Sequence, residues 1–367
     1  MLDAMEHLVW GALVALAVFG ALLMLVWRAR PIKPRRVRED LGPMRPSTAW
    51  REAIAADETE RFERYAREYV GMQKRHLAKE GAGRAVHRKQ VLALRGELEV
   101  LSTIPDEARH GLFREPGRYP ALVRLSNGAA AKNNNAAPDL RGFAIHLSGV
   151  SGPGAMGVAT DSQDFVLLNH SWLPFANVDD FVQFGVRADA GPLSLLGYLV
   201  ARYGVFGIPG MLAALAKLVT APFKGFAHAP FHSVAPIACG PHAVRVLLLP
   251  GPHNGEPPAR ASDWVASLRS HLRTAPLTWE LRLQFYSDEH RTPIEDMSVD
   301  WPSPYVTVAR FTVPLQDVGD AALAATVEGM TFDTWRHALE EHRPLGNVMR
   351  ARRVAYVANA RARGAQV

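Results

Sequence analysis

VLALRGELEVL (residues 91–101), ALVRLSNG (121–128), LRGFAIHLSGV (140–150) and DFVLLN (164–169) are short apolar runs separated by Gly, Pro, Asn and Asp. Runs of this length, bounded by turn formers, read as β-strands. AVRVLLLP (243–250), WELRLQFYS (279–287) and YVTVARFTVP (305–314) extend the series. Strands joined by turns, with few helices between them, predict an α+β chain built on an antiparallel β-barrel or sandwich core. An amphipathic helix is expected over 48–79, with Ile54, Phe62, Tyr65, Tyr69 and Met72 on one stripe. Gly81 and Gly83 end it. Residues 190–227 are apolar but interrupted by Gly191, Pro192, Gly207, Pro209 and Gly210, which predicts packed loop and short helices, with a second membrane contact as the alternative. Two C-terminal helices are expected, at 319–341 and 347–363.

Upstream, residues 8–27 (LVWGALVALAVFGALLMLVW) carry no charge, Pro, Asn or Gln. Twenty helical residues rise roughly 30 Å, the thickness of a bilayer's hydrocarbon. A cleaved signal would want a basic start, a shorter apolar core and a small-residue cleavage site. Here Asp3 and Glu6 precede the run, and Trp27 and arginines follow it. The expectation is one transmembrane helix at 1–27, an extended Pro-rich basic linker at 28–48 and a single large domain at 49–367. Lys plus Arg number 42 against 36 Asp plus Glu, a net +6. Arg28, Arg30, Lys33, Arg35, Arg36 and Arg38 account for the whole excess. That cluster places the domain on the cytoplasmic side by the positive-inside rule and against anionic headgroups. It also leaves the domain without the basic surface of a nucleic-acid binder. Cys239 is the only cysteine, which excludes an internal disulfide, a thiolate zinc site and a Cys-ligated iron–sulfur cluster.

Several isolated patterns carry little. His228 and His232 are separated by Pro230, which breaks a shared helical face. Gly81 and Gly83 lack the third glycine of a dinucleotide loop. Ser126 and Ser171 lack the glycine setting of a nucleophile elbow. The C-terminal stretch ARRVAYVANARARG (351–364) says more, because Arg352 and Tyr356 at i, i+4 share a helix face, with Arg363 two turns on. A guanidinium against a tyrosine oxygen favours phenolate, a hard ligand for ferric iron.

In order along the chain come Arg84-Ala-Val-His87, ALVRLSNG with Arg124 and Ser126 on one strand face, PDLRGFAIHL (138–147), QDFVLLNHSWLPF (163–175) and the late Arg-x-x-x-Tyr. This ordered set resembles the haem catalases, and within them the small catalase-like haem proteins. The resemblance implies a catalase-like antiparallel barrel with flanking and C-terminal helices, haem b as cofactor and a peroxide as substrate. By the same resemblance Tyr356 is the axial ligand of the haem iron and Arg352 stabilises its phenolate. His87 is the distal acid and base, and Ser126 orients it. Arg84, Arg124 and Arg363 hold the haem propionates, and Phe165, with Trp172 or Phe175, lines the haem face. Asp139 and Arg141 are expected to serve structure, as an ion pair or turn. Assembly as a homo-oligomer is implied by the resemblance alone.

Two departures bear on the reaction. The family's distal asparagine is missing from Ala159-Thr160-Asp161-Ser162, which shifts the expectation from catalase turnover toward peroxidase activity on larger peroxides. Val86 stands where allene oxide synthases carry threonine, which disfavours a hydroperoxide isomerase. That isomerase and a non-enzymatic haem-binding module remain the alternatives.

Overall fold

A computed structural model describes residues 42–365 apart from positions 82, 259, 261 and 262. The apolar run at 8–27 and most of the basic linker lie outside the described residues.

The strands are β1 (Gln90–Val100), β2 (Gly117–Asn127), β3 (Arg141–Pro153), β4 (Ala159–Leu168), β5 (Phe231–His232), β6 (Ile237–Cys239), β7 (His242–Pro250), β8 (Leu277–Phe285) and β9 (Tyr305–Val313). They form one antiparallel sheet in the order β5-β4-β3-β2-β1-β9-β8-β7-β6. The two-residue strand β5 pairs with both β4 and β7, which closes the sheet into an eight-stranded barrel with β6 as an outlying hairpin partner. Closure removes the unpaired edges that an open sheet would expose.

Period-two alternation sorts each strand into a barrel-filling and an outward set. On β2, Val123 and Leu125 are fully buried inside, so Arg124 and Ser126 between them point outward. On β3, Phe143, Ile145 and Leu147 turn inward and Gly142, Ala144 and His146 outward. Phe143 sits at the centre of the interior, edge-on to Phe226, Phe231, Trp279 and Phe311 at centroid distances of 6.3, 5.3, 5.5 and 6.2 Å. This offset geometry is the one aromatic quadrupoles favour.

Helices surround the barrel, and the fourth, through Trp264, Leu268 and Leu272, joins the barrel core. In chain order they are α1 (Glu58–Glu80), α2 (Val178–Ala190), α3 (Pro192–Thr220), α4 (Trp264–Leu272), α5 (Ala321–Gly329) and α6 (Asn347–Ala362). Leu323 and Val327 of α5 cluster with Ala93 and Phe332 over β1 and β2. Phe62 and Tyr65 of α1 pack in one cluster with Val348, Met349 and Ala351 of α6.

Three elements differ from the sequence expectation. The first helix begins at Glu58 rather than near residue 48, because residues 47–53 are held extended. Ser47 N–H donates to Tyr286 O at 2.9 Å, Trp50 Nε1 to Pro241 O at 2.8 Å and Ala53 N–H to Glu295 Oε1 at 3.0 Å. Residues 330–341, expected to continue a helix from 319, are irregular apart from a short 3-10 turn beginning at Glu340. Residues 190–227, expected as packed loop and short helices, contain α3, with less loop than expected. It is two short helices joined at a kink where Gly204 adopts φ +66°. Glycine reaches that left-handed geometry without a Cβ clash, so the helix turns instead of ending. Among the described residues α3 alone is long and apolar enough to cross a membrane by length and composition.

Candidate active site

A cavity of about 270 Å³ lies between the outer face of β2–β4 and helix α6, with α1 and the segment before β1 at its sides. From the barrel wall come Arg124, Ser126, Gly142, Ala144, Val166 and Leu168. These are the outward residues of their strands, so the alternation that fills the barrel also builds this wall.

His87 enters from the loop ahead of β1. Its φ of +52° is a left-handed conformation that a non-glycine residue holds only when its surroundings fix it. Two hydrogen bonds do so, from His87 N–H to Gly128 O at 2.9 Å and from Arg88 N–H to Ala129 O at 3.2 Å. The ring is oriented by a 3.0 Å bond between Nδ1 and Ser126 Oγ, which leaves Nε2 as the nitrogen available to the cavity. Gly142 permits that pairing, since a Cβ there would stand 2.7 Å from both His87 Nδ1 and Ser126 Oγ. Burial, reinforced by the charges of Arg124, Arg352 and Arg84, pushes the imidazole down to about 3. It is therefore neutral near pH 7 and able to accept a proton.

Helix α6 supplies Arg352, Tyr356, Asn359 and Arg363 to the cavity. Arg352 Nη2 donates to Tyr356 OH, as the i, i+4 spacing predicts. Burial raises the phenol above its ordinary value and outweighs the Arg352 charge that lowers it. The guanidinium thus offsets the cost of a phenolate here without making phenolate the resting form. Asn359 donates from Nδ2 to Ala355 O at 2.8 Å, and its buried Oδ1 has no partner.

Arg84, Arg124 and Arg363 also meet at this cavity, around a residue the sequence reading did not single out. Glu328 at the end of α5 accepts from Arg84 Nη1 at 2.8 Å through Oε1 and from Arg124 Nη2 at 3.0 Å through Oε2. Arg363 reaches only carbonyls, with Nη2 at 2.9 Å from Met330 O. Three guanidiniums thus face one carboxylate. Burial and the neighbouring Arg124 push Arg84 down to about 9. Glu328 carries no local motif; only the packing of α5 on the barrel brings it here.

Phe165 does not reach the cavity. Strand alternation turns it into the barrel core, and its neighbours Val166 and Leu168 face the cavity instead. Phe175 belongs to the cluster between α1 and α6. Arg141 holds the turn ahead of β3: its Nη2 donates to Asn135 O at 2.9 Å and Ala137 O at 2.7 Å, and its Nη1 to Asn127 Oδ1. Burial disfavours its cation, and the Asp139 charge favours it. Within 159–162, Asp161 is exposed, Ser162 Oγ bonds His337 Nδ1 at 2.9 Å, and none of the four residues lines the cavity.

On the same barrel face lies a grouping that no spacing announced. His146 Nδ1 meets Asp164 Oδ1 at 2.7 Å, Asp164 Oδ2 accepts from Asp333 N–H at 2.8 Å, and the His337 ring stands edge-on to His146 at 5.0 Å. Burial raises Asp164 to about 7 despite the lowering by His146. The trio has the donor types for a divalent metal. Both carboxylate oxygens, however, are already engaged within the protein.

No family model and no curated protein matches the sequence. Solved structures do. A bacterial catalase superposes with a TM-score of 0.59 at 16% identity, covering 93% of this chain and 69% of its own. The fold is the catalase fold. A fungal catalase gives 0.57 at 16% identity, over 92% and 71% of the two chains. Catalase A from Saccharomyces cerevisiae gives 0.55 at 16% identity, over 90% and 72%. At this identity the likeness extends to the catalase fold and no further.

Proposed function

We propose that the chain is a haem-dependent oxidoreductase that consumes hydrogen peroxide or organic and lipid hydroperoxides. The observation that carries this reading is the convergence on one cavity of a neutral, Ser-oriented histidine and an Arg-paired tyrosine more than 260 residues away in sequence. The cavity also fits a flat dianion with apolar faces. Its barrel wall is Ala144, Val166 and Leu168, and three guanidiniums at its edge are balanced by Glu328 alone.

Tyr356 would ligate the iron, Arg352 would stabilise the phenolate, and Arg84, Arg124 and Arg363 would hold the propionates by charge-assisted hydrogen bonds. Bound haem would supply the two-electron reduction of the peroxide, and an anionic oxygen ligand favours O–O cleavage. His87 would take the proton from one peroxide oxygen and return it to the other. Ser126 holds the ring so that one nitrogen serves both transfers. Because β4 offers Val166 and Leu168 instead of an amide, a small peroxide finds no second hydrogen-bond donor from that strand. This favours peroxidase turnover of larger hydroperoxides over dioxygen release. We further propose that residues 8–27 anchor the domain on the cytoplasmic side of a bilayer. Alkaline extraction and protease protection of membranes carrying the full chain test that part.

An absorption spectrum of the purified chain, before and after haem and then peroxide are supplied, tests the reading. A Soret band is expected, and Tyr356→Phe should abolish it or shift it sharply. A peroxide-shifted band that returns to its starting position only when an organic donor is added would identify a peroxidase, and dioxygen release a catalase. Absence of a Soret band after haem addition, or an unchanged spectrum in Tyr356→Phe, would overturn the assignment.

A further inference from the structure

The outward face of α3 has the wrong chemistry for water. Five of the eleven exposed large hydrophobic residues among those described lie between 193 and 206: Leu193, Leu196, Val200, Val205 and Phe206, with Phe206 fully exposed. Leu193, Leu196 and Val200 recur at i, i+3 and i+7, so they share one face of the first half-helix. Gly197 and Ala201 complete the exposed surface between them. A solvent-facing helix surface would be polar there.

Along α3 and the segment after it the charge has one sign. From Ala190 to Gly255 the sequence contains no Asp or Glu, whereas Arg202, Lys217 and Lys224 are exposed, as is Arg187 on the adjoining α2. Arg202 is tied back to Asp180 of α2, with Nη2 at 2.9 Å from Oδ2. The other exposed cations lie along the same chain segment, Lys217 on the second half of α3 and Lys224 just after it.

We propose that α3 and its kink form an interfacial docking surface for a bilayer with anionic headgroups, lying in the membrane plane rather than crossing it. The kink at Gly204 divides α3 into halves rising roughly 18 and 24 Å, each short of the hydrocarbon thickness of about 30 Å. The opposite side of α3 is committed to protein: Leu199, Ile208 and Met211 form a cluster with Phe184 of α2, and Leu218 joins the cluster beneath α6. Tyr198 OH adds a 3.1 Å bond to Asp180 Oδ1. A helix fastened along one side, apolar along the other and carrying only basic charge has the pattern of an in-plane membrane helix.

Charge separates this occupant from the other two. A second copy seated face to face would bring the same cations together. Residues 8–27 are followed by six basic residues within 28–38 and would add to the positive charge. An anionic lipid surface neutralises it. Docking here also sets α2, whose Phe181 and Val182 line the cavity, directly behind the membrane-facing helix. The proposal does not depend on haem.

The test uses the full chain with Phe206→Cys or, separately, Leu193→Cys, each carrying a nitroxide label and bound to vesicles of phosphatidylcholine and phosphatidylglycerol. Both positions are exposed, and the native Cys239 is fully buried with its thiol pushed up to about 12 by burial and Glu341, so labelling is selective. A label at the isolated exposed residue Leu315 serves as the aqueous reference. The expected result is a several-fold higher ratio of oxygen to water-soluble nickel chelate accessibility at 206 and 193 than at 315. Ratios equal to the reference would overturn the proposal. So would labels shielded from both relaxants, which would mean that a second copy or residues 8–27 cover the face. Failure of the chain to sediment with the vesicles would overturn it as well.

Discussion

At the scale of single residues, the site depends on a missing side chain as much as on those present. Gly142 faces the cavity directly beneath the His87–Ser126 pair, and any Cβ would stand 2.7 Å from the bonded nitrogen and oxygen. Because Gly142 pairs with Ser126 on one side and Leu168 on the other, the backbone has little freedom to retreat. Gly142→Ala should therefore displace the imidazole rather than the strand. Misplacement of a catalytic group by about 1 Å can cost on the order of a hundredfold in rate. The variant is expected to bind haem and melt near the parent while losing peroxide turnover by about that factor; stopped-flow reaction with peroxide measures it. The i, i+4 spacing made the contact of Arg352 with Tyr356 legible, whereas His87 and Ser126, 39 residues apart, were paired only through the resemblance. Neither reached Glu328, whose two guanidinium partners are 204 and 244 residues away. Phe165 was misassigned, because a strand's register decides inside from outside and one residue's shift reverses it.

At the scale of elements, the seven longer strands were legible from their apolar runs, whereas β5, which closes the barrel, is two residues long and has no period to detect. The full extent of α3 was hidden for the opposite reason, since its glycines and Pro209 are helix breakers that tertiary packing overrides. Helix α6 shows how such packing is secured. Arg350, near its start, bonds Glu52 Oε1 at 2.7 Å, Glu58 Oε1 at 2.7 Å and Glu295 Oε1 at 3.0 Å. These carboxylates come from the extended N-terminal segment, the first turn of α1 and the loop before β9, so one cation ties three elements to the helix that carries Tyr356. Removing it would leave three mostly buried carboxylates facing one another, and breaking a buried pair costs about 3–5 kcal/mol. Arg350→Ala is expected to destabilise the domain by an amount in that range and to lower haem occupancy. Denaturant titration of the full chain, read alongside Arg350→Lys as the partial replacement, checks it.

For the whole molecule, pH response follows from how many histidines the fold keeps neutral. Burial lowers His87 to about 3, and burial with neighbouring charges lowers His232 and His337 to about 4. His342 is also lowered to about 4, mainly by burial, and its bonds explain the protonation state. Nε2 accepts from Leu112 N–H at 2.9 Å, so Nδ1 must carry the proton it shares with Ala238 O at 3.2 Å. A second proton would have to displace the Leu112 bond. All four rings titrate near 6.5 once unfolded, so between about pH 4 and 6.5 the unfolded chain binds more protons and stability falls on acidification. Asp164, raised to about 7, acts in the opposite direction: folded it keeps a proton that the unfolded chain loses above 3.8, so its contribution falls as pH rises toward 7. His170, His228 and His242 are lowered by burial as well, so the lowered histidines outnumber the raised aspartates and unfolding near pH 5 takes up protons. The denaturation midpoint should therefore drop steeply from pH 6.5 to 4.5. His342→Gln keeps a donor and an acceptor at the same place without an ionisable ring, so its midpoint should start lower but fall with a slope shallower by about one proton. Equal slopes for the two proteins would mean that His342 titrates normally in the fold and that the tautomer fixed by Leu112 and Ala238 is not maintained.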